Sequence, residues 1–303
     1  MSFSHDVREC IRANINDHDK RFACLYGMLL YSKTVTREEI CLKSKSEVFR
    51  SVFPVLIKTV FGASVKITTQ EKPQKNGRSL WIYKITDPEQ VTHIRHIFHI
   101  HEERRIDMRN LPMNSMGAFL GGVFLTCGSI TEPDKEYHLE FTVPTEQLYQ
   151  DLNDILYSVG VHPNVMQRRY SWTVYLKVSS EIEDLLTFMG AQKCTLKLID
   201  IKIDKEVNNK ANRMRNCDMA NIDKTISASE KQCQDIMEII RHNGMDKLSP
   251  GLRNLAEVRM ENPHLSLSEV AELLDKPIGR SGVNHRFQKI ALIAEQYRKG
   301  LSS

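Results

Sequence analysis

Two apolar segments carrying glycine on one side recur about 95 residues apart, and no other feature restricts the fold of this chain as strongly. The first reads Leu25-Tyr-Gly-Met-Leu-Leu-Tyr-Ser-Lys33; the second reads Leu120-Gly-Gly-Val-Phe-Leu-Thr-Cys-Gly128. Each predicts a short apolar helix. Small residues on one side (Gly27; Gly121 and Gly122) let two such helices pack backbone to backbone.

The elements after each segment repeat in the same order. In the first repeat, about 20–100, a β-prone stretch at 34–43 precedes a helix over 46–61. Val48, Val52, Val55, Leu56 and Val60 form its apolar stripe, and Pro54 is expected to kink or split it. Strands at 64–69 and 79–85 follow, joined by Lys75-Asn-Gly-Arg78, where Asn-Gly between β-prone runs signals a hairpin. A helix over 87–100 closes the repeat. In the second repeat, about 115–190, a strand at 137–143 precedes a helix at 145–159 with Leu148, Leu152, Ile155, Leu156 and Val159 at helical spacing. Strands at 161–166 and 170–178 follow, then a helix at 180–189. Trp172, Val174, Leu176 and Val178 alternate as in a sheet with one covered face. Two αβαββα halves joined by the polar stretch 101–114 make a pseudo-symmetric α+β domain.

With 303 residues and 41% hydrophobic content, the chain can bury two or three cores. A net charge of +4 permits nucleic-acid binding without demanding it. The seven cysteines include no C-x-x-C pair, which points to reduced thiols and away from zinc. The opening MSFSHDVREC lacks the apolar run of a signal peptide, and the apolar run at 25–31 is too short to span a bilayer. A cytoplasmic protein with no membrane partner and no cofactor is expected.

Residues 201–226 are rich in Asn, Lys and Arg, with few glycines or prolines, and read as a polar helical linker. An all-α unit follows. A helix at 227–242 places Cys233, Ile236, Met237 and Ile240 on one side, and Gly244 stops it. Ser249-Pro250 starts a second helix, with Leu252, Leu255, Ala256 and Arg259 along its stripe and Pro263 beyond its end. Ser266-Leu-Ser-Glu269 is a capping box for a short helix that buries Val270, Ala271, Leu273 and Leu274. After a turn at 275–279, a last helix begins near Ser281. Its Val283, Phe287, Ile290 and Ala294 recur at spacings of four, three and four. This order is a helix-turn-helix. The start of such a last helix reads base edges in double-stranded DNA, which nominates Arg280, Ser281, Asn284, His285 and Gln288. Lys276, Arg286 and Lys289 are expected on phosphates, where they set register.

Each glycine-bearing segment resembles the LAGLIDADG helix of homing endonucleases. In that family the eighth position is acidic and holds a divalent metal. Here it is Ser32 in one copy and Cys127 in the other. Neither a hydroxyl nor a thiol gathers hard cations beside a phosphodiester as a carboxylate does. A shift of register would bring forward Glu38, Glu132 or Asp134, but these lie beyond the motif helices. The strings FSHDVREC, GAFLGGVFLTCGSITEPDKEYHLEF and HLSLSEVAELLDKPIGRSGVNHRFQKI are similar to the WhiA family. The resemblance covers nearly the whole chain. It implies a degenerate LAGLIDADG domain (1–200), a helical linker (201–226) and a helix-turn-helix domain (227–303). It also implies a non-catalytic, nucleoid-associated regulator that binds promoter DNA in cell division, chromosome segregation or sporulation.

Two other readings stay open at this point. One is an active homing endonuclease or intron maturase. The other is an interaction module that reaches DNA through RNA polymerase or another regulator. His93 and His99 are spread around a helix, unlike the i, i+4 pair of a zinc site, so His93, His96, His99 and His101 are expected in structural or phosphate-contacting roles. Arg104, Arg105 and Arg109 are either a solvated face or neighbours of a phosphate backbone.

Overall fold

The computed structural model describes residues 2–74, 79–169 and 171–300. The chain divides into two compact units, residues 1–205 and 206–303.

The first unit opens with α1 (Phe3–Asn14) and α2 (His18–Leu30). Then come β1 (Thr34–Val35), β2 (Ile40–Ser44), α3 (Glu47–Phe61), β3 (Thr68–Pro73), β4 (Ser79–Ile85) and α4 (Pro88–Ile97). The second repeat runs α5 (Met116–Cys127), β5 (Gly128–Ile130), β6 (Leu139–Val143), α6 (Glu146–Ser158), β7 (Asn164–Arg168), β8 (Ser171–Leu176) and α7 (Ser179–Phe188). The two sheets have the same antiparallel order, β1-β2-β4-β3 and β5-β6-β8-β7. The internal symmetry expected from the duplication is therefore present. Each repeat also carries a short edge strand, β1 or β5, directly after its motif helix.

The two motif helices are the centre of this unit. Ala23 through Leu30 of α2 and Ala118 through Leu125 of α5 are all buried. A helix apolar on all sides has to be enclosed on all sides. The glycines set the closeness of approach. A Cβ on Gly122 would lie 2.0 Å from the Cys24 carbonyl oxygen, and one on Gly27 would lie 2.4 Å from that of Phe119. Thr126 Oγ1 reaches the Met28 carbonyl at 3.4 Å, and Tyr31 of the first repeat donates to the Leu148 carbonyl of the second at 2.9 Å.

Several local expectations need correction. α1 was not anticipated; Phe3, Val7 and Ile11, four residues apart, bury it behind an N-cap from Ser2. Pro54 does not split α3, because Val48, Phe49, Val52, Phe53, Leu56 and Ile57 are buried on both sides of it and outweigh one lost backbone bond. The expected stripe holds at Val48, Val52 and Leu56 and is widened by Phe49, Phe53 and Ile57, while Val55 is exposed. β3 begins four residues later than the strand predicted at 64, and β7 three residues later than the one predicted at 161. The hairpin expected at 75–78 lies outside the described residues; beside it, Pro73 pairs with Ser79. Val178 is exposed beyond β8, as the N-cap of α7.

α8 (Gln192–Arg241) is one helix of 50 residues, so the polar stretch at 201–226 is helical. In the second unit it precedes α9 (Pro250–Glu261), α10 (Leu267–Glu272) and α11 (Arg280–Arg298). This core joins Ile236 and Ile239 of α8 to Leu255, Ala256, Val270, Ala271, Leu274, Val283, Phe287, Ile290 and Ala294. The buried face of α8 therefore differs by a register step from the expected one, since Met237 and Ile240 are half-exposed. Leu273, expected inside, is 52% exposed. No described helix is long and apolar enough to cross a membrane.

Gly122→Ala should destabilise the protein by about 3 kcal/mol, near the top of the range for overpacking, because the added methyl meets backbone rather than a movable side chain. Gly279→Ala, which faces open space, should cost less than about 1 kcal/mol. Urea unfolding followed by circular dichroism compares the two.

Candidate nucleic-acid interface

The second unit builds its surface from a rigid frame. Ser266 and Glu269 cap α10 reciprocally: the Ser266 amide donates to Glu269 Oε2 at 2.7 Å, and the Glu269 amide donates to Ser266 Oγ at 3.4 Å. The Ser266 side chain and then its amide, both bonding the carboxylate, lower the Glu269 carboxyl below its ordinary value. The turn that follows is anchored where the Asp275 amide donates to Asn254 Oδ1 at 3.2 Å. Arg259 holds the approach to α10 by donating to the carbonyls of Leu265 at 2.7 Å and Asn262 at 3.2 Å.

α11 is locked by its stripe. Val283, Phe287, Ile290 and Ala294 are all buried. At about 100° per residue, Ser281, Asn284, His285 and Gln288 then fall within an arc of about 100° on the other side. All four are exposed, as are Lys276 in the turn, Arg280 at the first position of α11 and Lys289 beside the arc. Arg286 differs. It is half-buried, and its Nη1 donates to the Gly251 carbonyl at 3.3 Å, bracing α11 against the start of α9. Amide, imidazole, hydroxyl and cationic groups thus share one side of a helix whose rotation is set by its core face.

The ends of the motif helices carry different chemistry. Ser32 is fully buried, and its Oγ has no hydrogen-bond partner among the described residues. Arg104, itself buried, donates from Nη1 to the carbonyls of Leu30 at 3.0 Å and Ser32 at 2.6 Å. At the end of α5, Arg8 donates from Nη2 to the Gly128 carbonyl at 2.5 Å and lies 5.1 Å over the Phe124 ring. Helix C-termini leave carbonyls unbonded and carry partial negative charge, so a guanidinium suits both places. Burial lowers both arginines, Arg8 to about 10. Burial also raises the Cys127 thiol to about 12, against the pull of Arg8. Among the described residues no carboxylate is bonded to either end. Glu132 instead accepts the Phe3 amide at 2.8 Å at the start of α1, and Glu38 and Asp134 are exposed.

Among the described residues, no group of three His, Cys, Asp or Glu could hold a metal ion. His93 and His96 are exposed on α4. The basic run after α4 is committed to internal partners. Arg104 is buried as above, Arg105 forms a bidentate pair with Asp151, and Arg109 pairs with Asp107. The Arg109 bonds hold the Asp107 carboxyl down at about 2. Arg105 and Arg109 remain exposed to solvent beside their carboxylate partners, while Arg104 is not part of that face. Sequence spacing alone missed the caps, because Arg8 and Arg104 lie outside the motif helices they serve.

Comparison with known proteins covers both units. Residues 211–294 match the family model described as the WhiA C-terminal HTH domain, and residues 116–208 match the WhiA LAGLIDADG-like domain. The first match begins inside α8, upstream of the boundary expected at 227. A probable cell division protein WhiA of Clostridium botulinum is 33% identical over 318 residues, covering 99% of this chain and 100% of that protein. A namesake in Clostridium perfringens is 42% identical over 183 residues, covering 60% of this chain and 58% of that protein. The crystal structure of full-length WhiA from Thermotoga maritima is similar in fold, with a TM-score of 0.60 at 22% identity, covering 98% of this chain and 99% of that one.

The buried thiols generate a direct test. With Cys127 raised to about 12, roughly one part in ten thousand is thiolate at pH 8, and Cys24 is likewise raised by burial. Iodoacetamide at pH 8 should label exposed Cys217 on the native protein, and Cys24 and Cys127 only after unfolding. Peptide mass spectrometry reads the order; early labelling of Cys127, which is only partly buried, would contradict the raised state of its thiol.

Proposed function

The chain belongs to the WhiA family, and from that premise we propose that it is a non-catalytic, sequence-specific DNA-binding regulator of transcription. Its promoters serve cell division, chromosome segregation or sporulation. The support is the surface of α11, where Ser281, Asn284, His285 and Gln288 stand exposed opposite a fully buried stripe. Such an arc fits the major groove. Asn or Gln pairs with adenine, while Arg280 at the helix start reaches a guanine edge. Lys276 and Lys289 flank the arc and serve phosphates, and so does Arg286, whose Nη1 is held on the Gly251 carbonyl.

Phosphodiester cleavage has no place in this reading. The two motif helices end in Ser32 and Cys127 rather than carboxylates, and each end is already bonded by an arginine. A guanidinium satisfies the same carbonyls by hydrogen bonding and repels a divalent cation by charge. The first unit then acts as a scaffold or interaction body rather than a nuclease.

The test is fluorescence anisotropy of the full chain on promoter duplexes. Asn284→Ala and His285→Ala should each relax preference at one base pair, by about 1–3 kcal/mol. Lys289→Ala should weaken binding to all duplexes alike and reduce the salt slope by about 1. Unchanged binding in all three variants would remove α11 from the interface.

A further inference from the structure

The helix-turn-helix holds a cation that the base-reading arc does not use. Arg259 on α9 is 1% exposed. Among the described residues it donates from Nη1, to the carbonyls of Leu265 and Asn262 and to Ser229 Oγ at 3.5 Å. Its Nε is buried with no partner among the described residues. The guanidinium lies 5.4 Å over the Phe287 ring. Among the described residues every hydrogen-bond and ring partner it has is neutral. A buried charge without a counter-ion is costly, and burial lowers this arginine's affinity for its proton.

Arg259 forms part of the wall of a pocket of about 500 Å³ in the same unit. Lys224 of α8 and Arg280 of α11 stand in that wall with it, as do Ser266 and Ser268 around the start of α10. Three cations therefore converge with hydroxyl groups, and no carboxylate lines the pocket. Gln232 adds a buried, unbonded amide oxygen; turning the amide over presents a donor instead. The occupant that balances this wall is an anion with several acceptor oxygens. Arginine, lysine and hydroxyl donors are the usual partners of a phosphate.

We propose that this pocket seats one backbone phosphate of the bound duplex, with Lys224 and Arg259 as its ligands and Arg280 in the wall beside them. The assignment rests on the DNA-binding reading given above. It favours a backbone phosphate over a free anion because Arg280 belongs to both surfaces: it lines the pocket and directly precedes Ser281 of the arc. The contact places α8 on the nucleic acid and makes residues near Lys224 part of the interface rather than a connector. A phosphate held there sets the register of α11 on the groove without reading sequence.

The experiment uses the full chain, with binding to a promoter duplex and a scrambled duplex measured across a salt series. Lys224 is exposed, so Lys224→Gln should fold normally. It should weaken binding to both duplexes by the same factor, on the order of threefold to tenfold, and lower the slope of log K against log salt by about 1. Arg259→Gln risks the fold, because Arg259 also holds Leu265. Arg259→Lys keeps the charge and is read beside Lys224→Gln, with a thermal melt as control. If Lys224→Gln leaves slope and affinity at wild-type values while Asn284→Ala alters base preference, the pocket assignment is wrong and the DNA-binding reading stands. If the wild-type protein binds no duplex, the DNA-binding reading itself fails, and the pocket assignment falls with it. A third arm titrates inorganic phosphate. Saturable stabilisation of wild type but not Lys224→Gln, together with an unchanged salt slope, would mark a free-anion site and overturn the backbone assignment.

Discussion

The first unit depends on the contact between α2 and α5. At Gly27 and Gly122 the two backbones come so close that even a methyl group would overlap a carbonyl oxygen. That approach leaves both helices enclosed. It also explains why neither shows an apolar and a polar side: each faces protein all around, from its partner helix to the sheet and helices of its own repeat. The two sheets inherit their common order from it. Each follows its motif helix through a short edge strand, and α1 packs on α5, where Ile11 lies against Gly121.

The same contact fixes what the helix ends can do. Their last carbonyls emerge at buried positions, where an unsatisfied acceptor is costly. In this chain arginines supply the donors, Arg104 for α2 and Arg8 for α5. The two come from different places, one after the first repeat and one from α1, yet they meet the same physical need. The Cys127 thiol at the end of α5 is held in its neutral form by burial and donates to the Val123 carbonyl.

In the second unit, function follows from a division of labour around α11. Its buried stripe sets the helix's rotation, so its exposed arc is presented as one surface. The capping box at Ser266 and Glu269 and the Asn254 bond to the turn hold the preceding elements in place. Arg259 links that frame to the proposed phosphate pocket, since one guanidinium both restrains the loop before α10 and forms part of the pocket wall.

The duplication, the capping box, the stripe of α11 and the absence of acids from the motif helices were all legible in the sequence, because each depends on residues close together in the chain. Periodicity places Val283, Phe287, Ile290 and Ala294 on one face whatever surrounds them. Register within less regular segments was not legible: Val55 and Leu273 are apolar residues at plausible spacings, and only packing decides that they face solvent. Pro54 reads as a helix breaker until six buried neighbours outweigh it. The arginine caps and the phosphate pocket belong to the tertiary structure alone. Arg8 lies 120 residues from Gly128, and Lys224 lies 35 from Arg259 and 56 from Arg280. No local pattern reports separations of that size; the fold brings these charges together.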